Sequence, residues 1–74
     1  MDEATLKKKF GSAVRRRRET MGYSQDTFAD AIGMHRAYYS AIERGERNVT
    51  LHTIKRVAIG LDVKIADVMS DAGL

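Results

Sequence analysis

Apolar residues recur along the first part of the chain at Leu6, Phe10, Ala13, Val14 and Met21, the three- and four-residue spacing of one helix face. The spacing predicts a helix over about Ala4 to Met21, stopped by Gly22. Arg17 interrupts the stripe where a continuous apolar face would carry Leu, so its stem must run along the core edge while its head escapes to water. Four shorter helices are expected after it. Gln25 to Ile32 turns Phe28, Ala29 and Ile32 inward and ends at Gly33; Arg36 to Arg44 buries Tyr39 and Ile42 and closes at Gly45. Leu51 to Leu61 carries a stripe of Leu51, Ile54, Val57, Ala58 and Leu61, and Ile65 to Ser70 carries Ile65, Val68 and Met69.

The starts of these four helices share a pattern. With Ser24, His35, Thr50 and Lys64 as caps, the residue before each cap is apolar (Tyr23, Met34, Val49, Val63), and so is the fourth residue after it (Phe28, Tyr39, Ile54, Val68). That is the signature of a hydrophobic staple, which fixes the angle at which the chain enters a helix. Ser24 and Thr50 can accept an orphan N–H through their hydroxyls; His35 and Lys64 are poorer caps by side-chain chemistry.

Composition narrows the picture. With 74 residues the chain is one all-α domain, 1–74, with a thin core. It has no Cys, which removes disulfides and thiolate metal sites, and no Pro. No apolar run approaches a membrane span, and the acidic start Met-Asp-Glu-Ala-Thr is unlike a secretory signal, so a cytoplasmic protein is expected. His35 and His52 lie in separate elements without carboxylates at ligand spacing, so no metal is expected. There is no strained nucleophile turn and no Gly-rich phosphate loop, so neither catalytic residues nor a cofactor are expected. The net charge of +3 permits a polyanionic partner without demanding one. Lys7 to Lys9 and Arg15 to Arg18 form basic runs that, taken alone, read as solvated helix faces.

The informative stretch is Gln25 through Gly45, with the helix-turn-helix at about 25–44. A short helix, a turn at Gly33 and a second helix follow with almost no slack, and Ala29 is small where the two would cross. This is helix-turn-helix spacing, which lets the second helix lie in a DNA major groove. With Tyr39 and Ile42 inward, that helix is expected to present Arg36, Ala37, Ser40 and Ala41, flanked by Tyr38 and Arg44. Arg36 in the first turn can pair with a guanine edge, and Ala37 offers only apolar contact, suited to a thymine methyl. The bland alternative is an ordinary helical hairpin. Tyr38 and Tyr39 do not form one stacking platform for single strands, because neighbouring helix residues point about 100° apart.

The whole chain resembles the Xre family of regulators, which includes the lambdoid phage repressors and Cro proteins. The matching strings are Phe10-Gly11, Arg18, Tyr23-Ser24-Gln25, Phe28-Ala29, Ile32-Gly33, Ser40 through Gly45, Arg47-Asn48 and the ladder Leu51, Ala58, Leu61, Val63. The resemblance implies a five-helix domain that binds operator DNA as a two-fold dimer. It implies base reading by Arg36, Ala37 and Ala41, and backbone contacts from Ser24, Gln25, Tyr38, Ser40, Arg44, Arg47 and Asn48. Gln25 would touch a phosphate and brace the recognition helix. Arg18 and Glu43 would form an ion pair between the first and third helices. Arg36 through Asn48 looks most like the controller proteins of restriction–modification systems. Val63, Ile65, Val68 and Met69 are more apolar surface than a short C-terminal element can bury, so the dimer interface is expected there. Arg17, Val49, Gly60 and Asp62 depart from the family pattern. Two further readings stand beside this one: an antitoxin that also holds a toxin, and a protein-interaction module that has lost DNA binding.

Overall fold

The computed structural model describes residues 1–74 and holds five helices: α1 (Glu3–Thr20), α2 (Gln25–Ala31), α3 (Arg36–Glu43), α4 (Leu51–Gly60) and α5 (Ile65–Asp71). Each boundary lies within about a turn's end of its sequence expectation, and all four expected caps hold the cap position. Ser24 and Thr50 accept from the backbone N–H of Thr27 and Thr53, each at 3.1 Å. His35 makes no side-chain cap bond. At Lys64 the help comes from the other direction, since the Asp67 carboxylate accepts from the Lys64 backbone N–H at 2.9 Å. The cap of α1 is Asp2, whose carboxylate accepts from the Thr5 N–H at 2.8 Å; the periodic stripe alone gave no sign of it.

The core gathers Phe10, Ala13 and Val14 of α1, Phe28 and Ala29 of α2, Tyr39 and Ile42 of α3, Val57 and Ala58 of α4, and Val68 of α5. Helix α1 packs on α3 and α5, α2 on α3, and α4 on α5. The first staple is visible as an edge-on contact between the Tyr23 and Phe28 rings, 5.8 Å between centroids. Phe28 in turn packs on Tyr39 at 5.2 Å, so the staple of α2 leads directly into the anchor of α3.

Three members of the expected stripes face water. Leu51 is 77% exposed, and Leu6 and Met21 are also exposed. Leu51 is the first residue of α4 and Met21 the C-cap of α1, so both lie where a helix end clears the core. Val68, expected at a dimer surface, is instead 1% exposed and belongs to the core. Its position follows from its staple role: the fourth residue of α5 must turn back under the chain that enters the helix.

Arg17 keeps the expected edge position, and its head has a partner. Its Nε and Nη2 grip the Asp71 carboxylate, while Arg16 donates to the Asp71 carbonyl at 3.0 Å. The departure at Asp62 is a backbone matter. Asp62 is the one non-glycine residue with positive φ, at 57°, a conformation in which Cβ crowds the carbonyl. Asp62→Gly should therefore raise stability by about 0.5–1 kcal/mol, read as a higher urea midpoint at unchanged slope. A lower midpoint would show that the Asp62 side chain contributes more than its strain costs.

Candidate nucleic-acid interface

Helix α3 is set by a buried polar cluster at its C-terminal end. Arg18 Nε donates to Glu43 Oε2 at 2.8 Å and Nη2 to Oε1 at 3.0 Å, a bidentate pair between α1 and α3. Both side chains are buried. Gln25 Nε2 donates to Glu43 Oε1 at 2.8 Å, Tyr39 Oη donates to Glu43 Oε2, and Arg18 Nη1 donates to the Tyr23 carbonyl at 2.8 Å. No buried side-chain nitrogen or oxygen lacks a partner. The cluster thus joins α1, the start of α2 and α3 around one carboxylate. Burial pushes the Glu43 carboxyl up, and the hydrogen bonds from Arg18, Gln25 and Tyr39 outweigh it, leaving it below the usual carboxylate range. Burial, followed by the bond to Glu43, pushes the Tyr39 phenol far up, so it remains a neutral donor. The ion pair was expected; the parts of Tyr39 and the Tyr23 carbonyl were not.

The turn between α2 and α3 is held from behind. Arg56 of α4 donates Nη2 to the Ile32 carbonyl at 2.7 Å and to the Gly33 carbonyl at 2.8 Å. These are orphan acceptors at the C-terminus of α2, where a cation is also favoured by the helix dipole. Sequence reasoning missed Arg56, because nothing local links it to a turn more than twenty residues away.

On the outward side, Arg36 and Ala37 at the start of α3 are exposed, and so are Ser24, Arg44, Arg47 and Asn48. Gln25, Tyr38 and Ser40 are half-buried between them. Gln25 lies between two roles: it donates to Glu43 and accepts from Ser40 Oγ at 3.4 Å, bracing α3 from the first turn of α2. The Arg47 guanidinium sits over the Tyr38 ring, 5.4 Å from its centroid. Arg44 forks onto Glu46 with two 3.0 Å bonds and reaches Ser40 Oγ at 2.5 Å.

Ala41 is a correction. It was expected on the outward face with Arg36 and Ala37, but it is 7% exposed. Helix α3 packs against both α1 and α2, so its buried arc is wide enough to take Ala41 as well as Tyr39, Ile42 and Glu43. The surface beside the start of α3 also carries acid. Arg36 lies against two carboxylates of α2: its Nε and Nη2 reach Asp30 at 3.2 and 2.7 Å, and its Nη1 reaches Asp26 at 3.4 Å. The bond from Arg36 holds the Asp30 carboxyl below its ordinary range. The signal for this was present in the sequence, since Asp26 and Asp30 share a face of α2 at i,i+4 spacing.

A short helix, a glycine turn with φ of +65° at Gly33 and a second helix whose first turn is solvent-exposed and carries an arginine together define a helix-turn-helix domain. Residues 14–68 match the helix-turn-helix family. The chain is 37% identical over 67 residues to control protein C.MunI of Mycoplasma sp, covering 89% of this chain and 90% of the relative. Solved structures similar to the chain include the following two. The restriction-modification controller protein C.AhdI from Aeromonas hydrophila has a TM-score of 0.79 at 39% identity, covering 82% of this chain and 92% of the other. The clp gene regulator ClgR from Corynebacterium glutamicum has a TM-score of 0.88 at 29% identity, covering 92% and 87%. The chain belongs to the helix-turn-helix family of DNA-binding transcriptional regulators.

Proposed function

We infer that the chain reads a specific operator in double-stranded DNA as a two-fold dimer and controls transcription of a restriction–modification system, acting by binding rather than catalysis. The observation that carries the reading is the exposed start of α3, with Arg36 and Ala37 facing outward on a helix held from behind by the Arg18–Glu43 cluster. The restriction–modification role is supported by the likeness to C.AhdI and to C.MunI, which together cover most of this chain. On this proposal Arg36 and Ala37 read bases. Ser24, Gln25, Tyr38, Ser40, Arg44, Arg47 and Asn48 follow the phosphates, and the protein works in the cytoplasm beside its DNA. No helix is long and apolar enough to cross a membrane.

The test separates reading from mere adhesion. Arg36→Ala should cost about 1–3 kcal/mol at the selected operator and far less on random duplex. Arg47→Ala should weaken both by similar factors and flatten the salt slope by about one. Gel shifts across a salt series measure both. An Arg36→Ala protein that binds the operator like wild type would remove α3 from the groove.

The dimer is part of the same proposal. Residues of one α3 cover only a few base pairs, and symmetry doubles the site with half-sites about 34 Å apart. Met69 shares an apolar groove with Leu6, Phe10, Val49, Ile54 and Leu74. Ile65 is half-buried on the same helix as Met69, whereas Val63 lies by Ile59 and Lys64 in a separate depression. We place the interface at Ile65, Met69 and the groove, without Val68. Met69→Asp, or Leu74→Asp at the exposed rim, should convert the dimer to monomer in sedimentation at micromolar concentration. A wild-type protein that sediments as a monomer ends this part of the proposal.

A further inference from the structure

The contact between Arg36 and the carboxylates of α2 is arranged by edge. Asp30 takes the side edge of the guanidinium, its two oxygens on Nε and Nη2 at 3.2 and 2.7 Å. Asp26 touches only Nη1, at 3.4 Å. A guanidinium has five N–H donors in one plane. A side-edge pair consumes the Nε hydrogen and one of the two on Nη2. The terminal edge, with one outward hydrogen on each of Nη1 and Nη2, is left for a second planar partner, and guanine presents such a partner in O6 and N7. The long Asp26 contact is the only one that a base on this edge would disturb.

The arrangement also bears on phosphates. Arg36 is 58% exposed and flexible in principle. To follow a phosphate at an arbitrary position it would have to leave Asp30 and give up two charge-assisted bonds. To meet a guanine end-on it need not move from Asp30 at all. The carboxylate would therefore favour one partner over the other, and its own charge would oppose close approach of the phosphate backbone.

We propose that Asp30 is a specificity-determining positioning residue, which grips the side edge of Arg36 and leaves only its terminal edge for a guanine of the operator. Asp30 itself touches no base; it acts through Arg36. The inference rests on the operator-reading function proposed above and deepens it by assigning a residue of α2 to the choice of base.

The experiment is selection of binding sites from a randomised duplex library by the full chain, in four forms: wild type, Arg36→Ala, Asp30→Ala and Asp26→Asn. Wild type should enrich a site containing a guanine whose preference disappears with Arg36→Ala. Asp30→Ala should weaken the preference at that same guanine about tenfold, within the range a bidentate guanine contact supplies, and leave the other positions unchanged. Its binding to random duplex should strengthen, with a salt slope steeper by about one, because a freed arginine becomes one more phosphate contact. Asp26→Asn should keep the guanine preference. An Asp30→Ala protein with the full wild-type preference overturns the proposal. So does equal loss in Asp26→Asn, which would make the effect one of local charge rather than of a held edge. If Arg36→Ala changes no position, Arg36 does not read a base and Asp30 has nothing to position. If wild type enriches no sequence, the operator-reading function itself fails first.

Discussion

Glu43→Gln is expected to lower the thermal midpoint by more than about 10 °C. The substitution keeps the shape of the side chain and removes its charge. Arg18 then remains buried beside a neutral amide, and one donor of that amide faces groups that already donate: Arg18, Gln25 and Tyr39. Breaking a buried pair from one side costs about 3–5 kcal/mol, and in a domain of this size each kcal/mol moves the midpoint by about 4–8 °C. A small domain has only about 5–15 kcal/mol in all, so the variant should be close to unfolding at ordinary temperatures. Tyr39→Phe removes one donor and leaves the charges paired, so it should cost about 1 kcal/mol.

The same carboxylate gives the pair a pH signature. Its folded pKa lies below the unfolded value, so its contribution is complete above the unfolded pKa of about 4.3. It is lost as pH falls through the folded pKa. Wild-type stability should therefore fall in acid, and Glu43→Gln should flatten that part of the profile. A midpoint for Glu43→Gln equal to that of wild type at pH 7 would mean that Glu43 contributes nothing as an anion.

Much of this was legible in the sequence because it is local. The three- and four-residue stripes place every helix, and the repeated apolar–cap–apolar pattern places the start of four of them. The Arg18–Glu43 pair came from resemblance, since nothing in the periodicity joins residues 25 positions apart. What stayed hidden depends on how helices cross. Ala41 is small and sits beside Ile42, and only the double contact of α3 with α1 and α2 turns it inward. Val68 was read both as a staple and as dimer surface, and only the packing of α5 against α1 and α4 decides for the core. The grips of Arg17 on Asp71, Arg56 on the turn carbonyls and Asp30 on Arg36 each join separate elements. A long charged side chain can reach several candidates, and the sequence does not rank them. The basic residues around α3, and the acidic pair Asp26 and Asp30 on one face of α2, were therefore readable, while which acid grips which arginine was not.

Two helical glycines, Gly11 inside α1 and Gly60 at the last residue of α4, give different weights to the same substitution. A Cβ on Gly11 would lie 2.4 Å from the Ile42 carbonyl oxygen and 2.5 Å from that of Glu43, both backbone atoms of α3. A Cβ on Gly60 would lie 2.3 Å from Ile32 Cγ2 and 3.0 Å from Phe28 Cζ, both side-chain rather than backbone atoms. Alanine gains about 1 kcal/mol over glycine in a helix interior, where Gly11 lies, and less at a helix end, where Gly60 lies. At Gly60 the half-buried Ile32 can shift, so the clash is partly relieved, and Gly60→Ala should cost about 1 kcal/mol or less. At Gly11 no rotamer relieves it. Helix α3 must move away from α1, which stretches the Arg18–Glu43 bonds anchored two turns along the same interface. Gly11→Ala should therefore cost about 3 kcal/mol in spite of its better helix propensity. It should also weaken operator binding beyond what unfolding explains, because the helix that moves is the one proposed to enter the groove. Chemical denaturation of both variants, with operator affinity measured well below each midpoint, makes the comparison. If Gly11→Ala is as stable as Gly60→Ala, the closeness of α1 to α3 is not what sets the position of α3.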